Sequence, residues 1–92
     1  MADYNYFVSY DLNGTRPSHS EMDAHLKKLG PCVLRVVETV WYIRSSKTLS
    51  EVYTYMQSIL SVNDRALVIW ANQSTFRNLL VPDETVLKCW VK

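Results

Sequence analysis

Ninety-two residues suffice for one small domain and are too few for two that each bury a core. Hydrophobic residues make up 48% and charged residues 21%, which excludes wholesale disorder; two Gly and three Pro exclude collagen-like and Pro-rich chains. Ten basic against nine acidic residues leave a net charge of +1, too little for a strongly electrostatic nucleic-acid binder.

No apolar run approaches the roughly 18 residues that span a bilayer, and the start, Met1-Ala2-Asp3-Tyr4, carries no basic-then-apolar leader. The expectation is a cytoplasmic chain with no membrane partner. In that setting Cys32 and Cys89, which form no CxxC and have no His nearby in sequence, are expected as reduced, mostly buried thiols. Charge is unevenly spread. Residues 1–26 carry one basic and four acidic side chains, whereas residues 27–47 carry five basic and one acidic. The basic middle forms either one positive face or an ordinary solvated surface.

Residues 4–12 read as a strand, with Tyr4, Tyr6, Val8 and Tyr10 on one face and Asn5, Phe7, Ser9 and Asp11 on the other. Asn13-Gly14 ends it with turn chemistry. Ser18 followed by Glu21 is a capping box, and Met22, Leu26 and Leu29 continue it as one helical stripe. Gly30-Pro31 stops that helix, with Gly30 as a left-handed cap. The β-rich run 32–45 splits near Glu38-Thr39 into two antiparallel strands. Thr48 and Glu51 repeat the capping box before a second stripe, Leu49, Val52, Met56, Ile59 and Leu60. Residues 65–71 make a short apolar strand, and Val86–Val91 a final one after a Pro82-Asp83 turn. The order β-α-β-β-α-β plus a C-terminal strand predicts an α+β, ferredoxin-like domain, its core over 4–71 and a tail over 72–92. Both helices fall on one sheet face. The other face needs cover, which a dimer supplies.

Chemistry-bearing motifs are sparse. His19 and His25 are six apart, not the i, i+4 spacing that binds a metal, and His25 falls beside the apolar stripe in a structural position. No GxSxG and no Gly-rich phosphate loop is present. Asp11 stands out. It closes the first strand just before the loop to a capped helix, where ligands of α/β sheets sit. It either ligates Mg²⁺, which takes one or two carboxylates plus water and phosphate, or caps its own turn. A two-fold dimer would supply a second copy of it. The strand aromatics lack the RNP1 pattern and read as packing residues.

The run Tyr6-Phe-Val-Ser-Tyr-Asp-Leu12, the Leu29-Gly30 helix end, the segment Arg35-Val-Val-Glu-Thr-Val-Trp41 and the strand Asp64–Trp70 resemble the small CRISPR-associated nuclease-like subunit of the spacer-adaptation complex. The resemblance spans roughly residues 5–71 and extends to related toxin-type proteins. It implies a ferredoxin-like homodimer whose C-terminal strand pairs with the partner's sheet, placing Val86, Cys89 and Trp90 at the interface. It also implies metal-dependent phosphodiester hydrolysis of DNA or RNA in antiviral defence, with Asp11 as catalytic residue and Mg²⁺ ligand. Arg16, Lys27, Lys28, Arg35, Arg44, Lys47 and Arg77 are then the phosphate contacts. Three departures count against nuclease activity and strong DNA binding and favour a catalytically inactive alternative: one Arg in the loop after Asp11, a low net charge and a Trp-rich apolar tail. Under that alternative the chain is an interaction module whose partner is an adaptation-complex or antitoxin protein. A third reading is a small-ligand sensor using the cleft between sheet halves.

Overall fold

The alternation over residues 4–11 produces the first strand, β1 (Tyr4–Asp11), which becomes an inner strand because both of its faces carry apolar side chains. The computed structural model describes residues 3–92. After β1 come α1 (His19–Leu26), β2 (Cys32–Val37), β3 (Val40–Ser45), α2 (Leu49–Gln57), β4 (Arg65–Trp70) and α3 (Asp83–Cys89). The four strands form one sheet in the order β2-β3-β1-β4, and all three neighbouring pairs are antiparallel. This α+β architecture is compatible with the ferredoxin-like arrangement expected from the element order. The expected break at Glu38-Thr39 is the hairpin between β2 and β3.

Both capping boxes form. Ser18 Oγ accepts the Glu21 amide and Glu21 accepts the Ser18 amide; Thr48 and Glu51 repeat the exchange. Each satisfies two amides that a helix start leaves unpaired. Met22 and Leu26 of α1 and Val52 and Met56 of α2 are fully buried. They meet Tyr6 and Val8 of β1 and Trp41 and Ile43 of β3, which form the first core. Each such side chain contributes about 1.5–3 kcal/mol of burial.

Helix α1 ends at Leu26, a turn before the expected stop, and Leu29 still reaches the core from the following turn. Gly30 is not a left-handed cap, since no described glycine has positive φ. Its role is close approach: a Cβ there would lie 1.9 Å from the Arg44 carbonyl oxygen on β3.

The second sheet face departs further from expectation. Val86–Val91 is not a strand. Residues Asp83–Cys89 are helical, with Asp83 and Glu84 in the first turn and Lys88 in the last, each sign matching the helix dipole. Pro82 opens the helix, where its missing amide costs nothing. Val86, Cys89 and Trp90 recur at helical spacing and share the inward side. Cys32 and Cys89 are not free thiols; they form a disulfide that ties α3 to β2. Nor is this face bare. Residues 76–90 lay Phe76, Leu79, Val81, Val86 and Trp90 on Phe7, Leu34, Val36, Val40 and Tyr42, making a second core within one chain. The packing argument for a twin over this part of the sheet is thereby removed.

Asn5 anchors the end of this cover. Its buried amide donates from Nδ2 to the Val91 carbonyl at 2.7 Å, and its Oδ1 accepts the Val91 amide at 2.9 Å. The Tyr42 hydroxyl donates to the same Oδ1 at 2.7 Å. Trp90 stacks on Tyr42 with ring centroids 5.7 Å apart. The cover stops short of β4, where Leu67 and Ile69 remain about half exposed. Among the described residues no helix is long and apolar enough to cross a membrane.

Candidate functional site

Tyr10 and Asp11 close β1 on opposite faces of the sheet. Tyr10 turns toward the helices, where its hydroxyl donates to Asp23 Oδ1 at 2.6 Å. Burial, then the Asp23 carboxylate, raises the Tyr10 hydroxyl far above its ordinary pKa, so it stays a donor. Asp11 turns the other way. Its side chain is 62% exposed, and its nearest ionic neighbour is Arg65 Nη1 at 3.9 Å across the β1–β4 pair. A pair this long and this exposed holds the carboxylate only loosely.

The loop after Asp11 is fixed by a different carboxylate. Asp64 accepts the Asn13 amide at 2.6 Å and the Ser61 amide at 2.8 Å, and Asn13 Nδ2 donates to the Asn63 carbonyl. These backbone bonds, that from Asn13 first, hold the Asp64 carboxyl below its ordinary pKa. The turn-capping task that the sequence offered to Asp11 thus falls to Asp64, and no hydrogen bond of the described residues engages the Asp11 carboxylate within its own turn.

Between this loop, the start of α1 and the β2–β3 hairpin lies a cleft of about 470 Å³. Asp11 stands at its lining with Tyr10, His19, Asp23, Arg35 and Trp41. The Arg35 guanidinium is held by two bonds, from Nε and Nη2 to the Glu38 carbonyl, at 3.0 and 2.9 Å. The cleft therefore gathers carboxylates, an imidazole and a fixed cation. Among the described residues no three His, Cys, Asp or Glu side chains converge as a metal-binding group. One Asp11 per chain still fits the small protein share of a Mg²⁺ shell.

The basic residues named from sequence do not form one face. Arg16 and Arg35 lie at the end of the sheet where β1 finishes. Lys27, Lys28, Arg44 and Lys47 lie around the opposite end, where the Leu29-Gly30 turn meets Arg44 and Ser45. Arg16 is ion-paired with Glu21, and Arg44 Nε pairs with Asp3 at 2.8 Å. Lys27, Lys28 and Arg77 are exposed. Of the residues expected at a dimer interface, Val86 is buried inside its own chain, Cys89 is disulfide-bonded and Trp90 is stacked on Tyr42.

His25 has a structural position, as its place beside the stripe suggested. Its ring lies 3.9 Å from that of Tyr55, nearly parallel, and its Nε2 sits 2.6 Å from the Tyr55 carbonyl. The Tyr55 hydroxyl donates back to the His25 carbonyl at 2.9 Å. The residues that sequence reasoning missed are Asn5 and Asp64. A polar side chain in the middle of an apolar strand and an Asp beside a turn were the available signals. Comparison with protein-family models, with curated proteins and with solved structures finds no match to this chain.

Proposed function

We propose that this chain is a nucleic-acid-associated protein that works as a homodimer, in the manner of the CRISPR-associated nuclease-like subunit its motifs resemble. One observation carries the reading. The exposed Asp11 carboxylate lies at the rim of a sheet face whose β4 part, Leu67 and Ile69, is left uncovered. Two copies meeting through a face that includes this apolar strip would set two Asp11 carboxylates at one seam. That seam is the place for Mg²⁺, which when bound supplies charge stabilisation for phosphodiester hydrolysis. The protein's share is to hold Asp11 at a strand end and to meet phosphate with the exposed cations Lys27, Lys28 and Arg77.

The test is incubation of the full chain with labelled DNA and RNA, with and without Mg²⁺ and with and without a thiol reductant. Mg²⁺-dependent cleavage that Asp11→Asn abolishes is the expected result. Equal cleavage by wild type and Asp11→Asn overturns the catalytic assignment.

A second reading, a catalytically inactive module that binds an adaptation-complex or antitoxin protein, is favoured by the ion pairs. Arg16, Arg44 and Arg65 each face a carboxylate of this chain, which leaves fewer cations for phosphate. Binding to duplex DNA whose affinity falls steeply with salt counts against this reading, because each phosphate neutralised contributes a slope of about −0.9.

A further inference from the structure

Residues 72–92 leave β4 at one margin of the sheet and cross the second face to β2, at the other margin. Leu80 donates its amide to the Val36 carbonyl there, and α3 then lies over β3 and β1. The segment is held by contacts of two kinds. Val86, Trp90 and the Asn5 amide hold it by packing and hydrogen bonds. A single covalent bond, Cys32 Sγ–Cys89 Sγ, holds it against β2. Cys32 is buried, whereas Cys89, at the last position of α3, is partly exposed.

We propose that α3 and the residues after it are a redox latch, and that the face they release is closed by a second copy of this chain. The choice of a second copy rests on the homodimer reading above. The opening step is thiol–disulfide exchange with a dithiol reductant. One of its thiolates attacks Cys89 Sγ and expels the Cys32 thiolate, which takes up a proton. The reductant's second thiol then displaces Cys89, so two electrons and two protons pass to the protein and the reductant becomes a disulfide.

Release uncovers Phe7 and Tyr42, on which Trp90 packs, and extends the strip already exposed at Leu67 and Ile69. Joined in this way, the apolar residues form a contiguous patch of the kind that marks a protein–protein contact. The rim favours a copy of the same chain over a nucleic acid. Asp11 and Arg65 stand exposed 3.9 Å apart on it, so a two-fold partner offers each charge its opposite. A phosphate backbone would meet only an apolar floor on the released face.

The experiment compares the oxidised full chain, the same protein in dithiothreitol, and Cys89→Ser without reductant. Amide exchange is followed over residues 83–91, mass by light scattering, and far-UV circular dichroism confirms that the domain stays folded. Reduction and Cys89→Ser are both expected to speed exchange over that segment about tenfold or more and to double the mass. Unchanged slow exchange after reduction and in Cys89→Ser overturns the latch. Fast exchange at monomer mass overturns the homodimer reading and leaves the latch standing. A doubled mass already present in the oxidised protein, with α3 still protected, keeps the homodimer and overturns the gate.

Discussion

Asn5 shows how one side chain can fix a distant segment. It is 3% exposed, stands between apolar neighbours, and spends its amide on both backbone groups of Val91. Removing it strands the Val91 amide and carbonyl at once and leaves the Tyr42 hydroxyl only the Cys89 carbonyl, at 3.0 Å. Asn5→Ala should therefore cost about 2–3 kcal/mol, measured by urea unfolding, whereas a surface substitution costs a few tenths. Gly30 acts through absence. With the Arg44 carbonyl oxygen 1.9 Å from where a Cβ would sit, Gly30→Ala must push β3 or the α1–β2 turn aside. A loss of at least about 2 kcal/mol is expected in the same assay. Tyr55→Phe removes one bond to the His25 carbonyl and keeps the ring stack, so its cost should stay near 1 kcal/mol.

At the scale of elements, the caps carry a pH signature. Glu21 is drawn down to about 2, chiefly by the Arg16 hydrogen bond and next by the Ser18 amide. Glu51 is lowered by the Thr48 amide, and Asp64 by the Asn13 amide. A carboxylate whose pKa falls on folding stabilises the native state above its unfolded pKa and loses that contribution as pH drops through its folded one. Tm should hold steady above pH 4.5 and fall between pH 4.5 and about 2, with Glu21→Gln flattening the fall. A scan showing Tm rising over that interval would contradict the caps. These same boxes explain why so much of the fold is legible from sequence. A capping box needs two residues three apart, a stripe needs one helix, and both are local. The hairpin at Glu38-Thr39 is read from strand length alone. What escapes is long-range. Val86, Cys89 and Trp90 suit a strand or a helix equally in so short a run, and Pro82 with Asp83 and Glu84 tips the balance. Gly30 looks like a cap until Arg44 is seen beside it. Asp11 is legible as a strand-end carboxylate, but its partner Arg65 comes from a strand 54 positions on, across the β1–β4 register.

For the whole molecule, the separation of the two cysteines matters most. They lie 57 residues apart, so the disulfide closes most of the chain into one loop. In the chain-entropy account that is about 4 kcal/mol of stability. Burial of Val86 adds about 2 kcal/mol, which makes the covalent bond the largest single hold on the tail. The double substitution Cys32→Ser with Cys89→Ser should thus lower urea-unfolding stability by about 4 kcal/mol, and no change would mean that the tail contributes little to the folded state. The fold meets the need for a covered sheet from within the chain, where a 71-residue core alone would have had to recruit it.

The two margins of the sheet are unlike. β2 is engaged by Leu80 and stapled through Cys32, whereas among the described residues no other strand pairs with the outer side of β4, which has no Lys or Pro from Ala66 to Trp70. Strand addition at high concentration meets less hindrance at β4, because a strand arriving at β2 must first displace the Leu80 amide from the Val36 carbonyl.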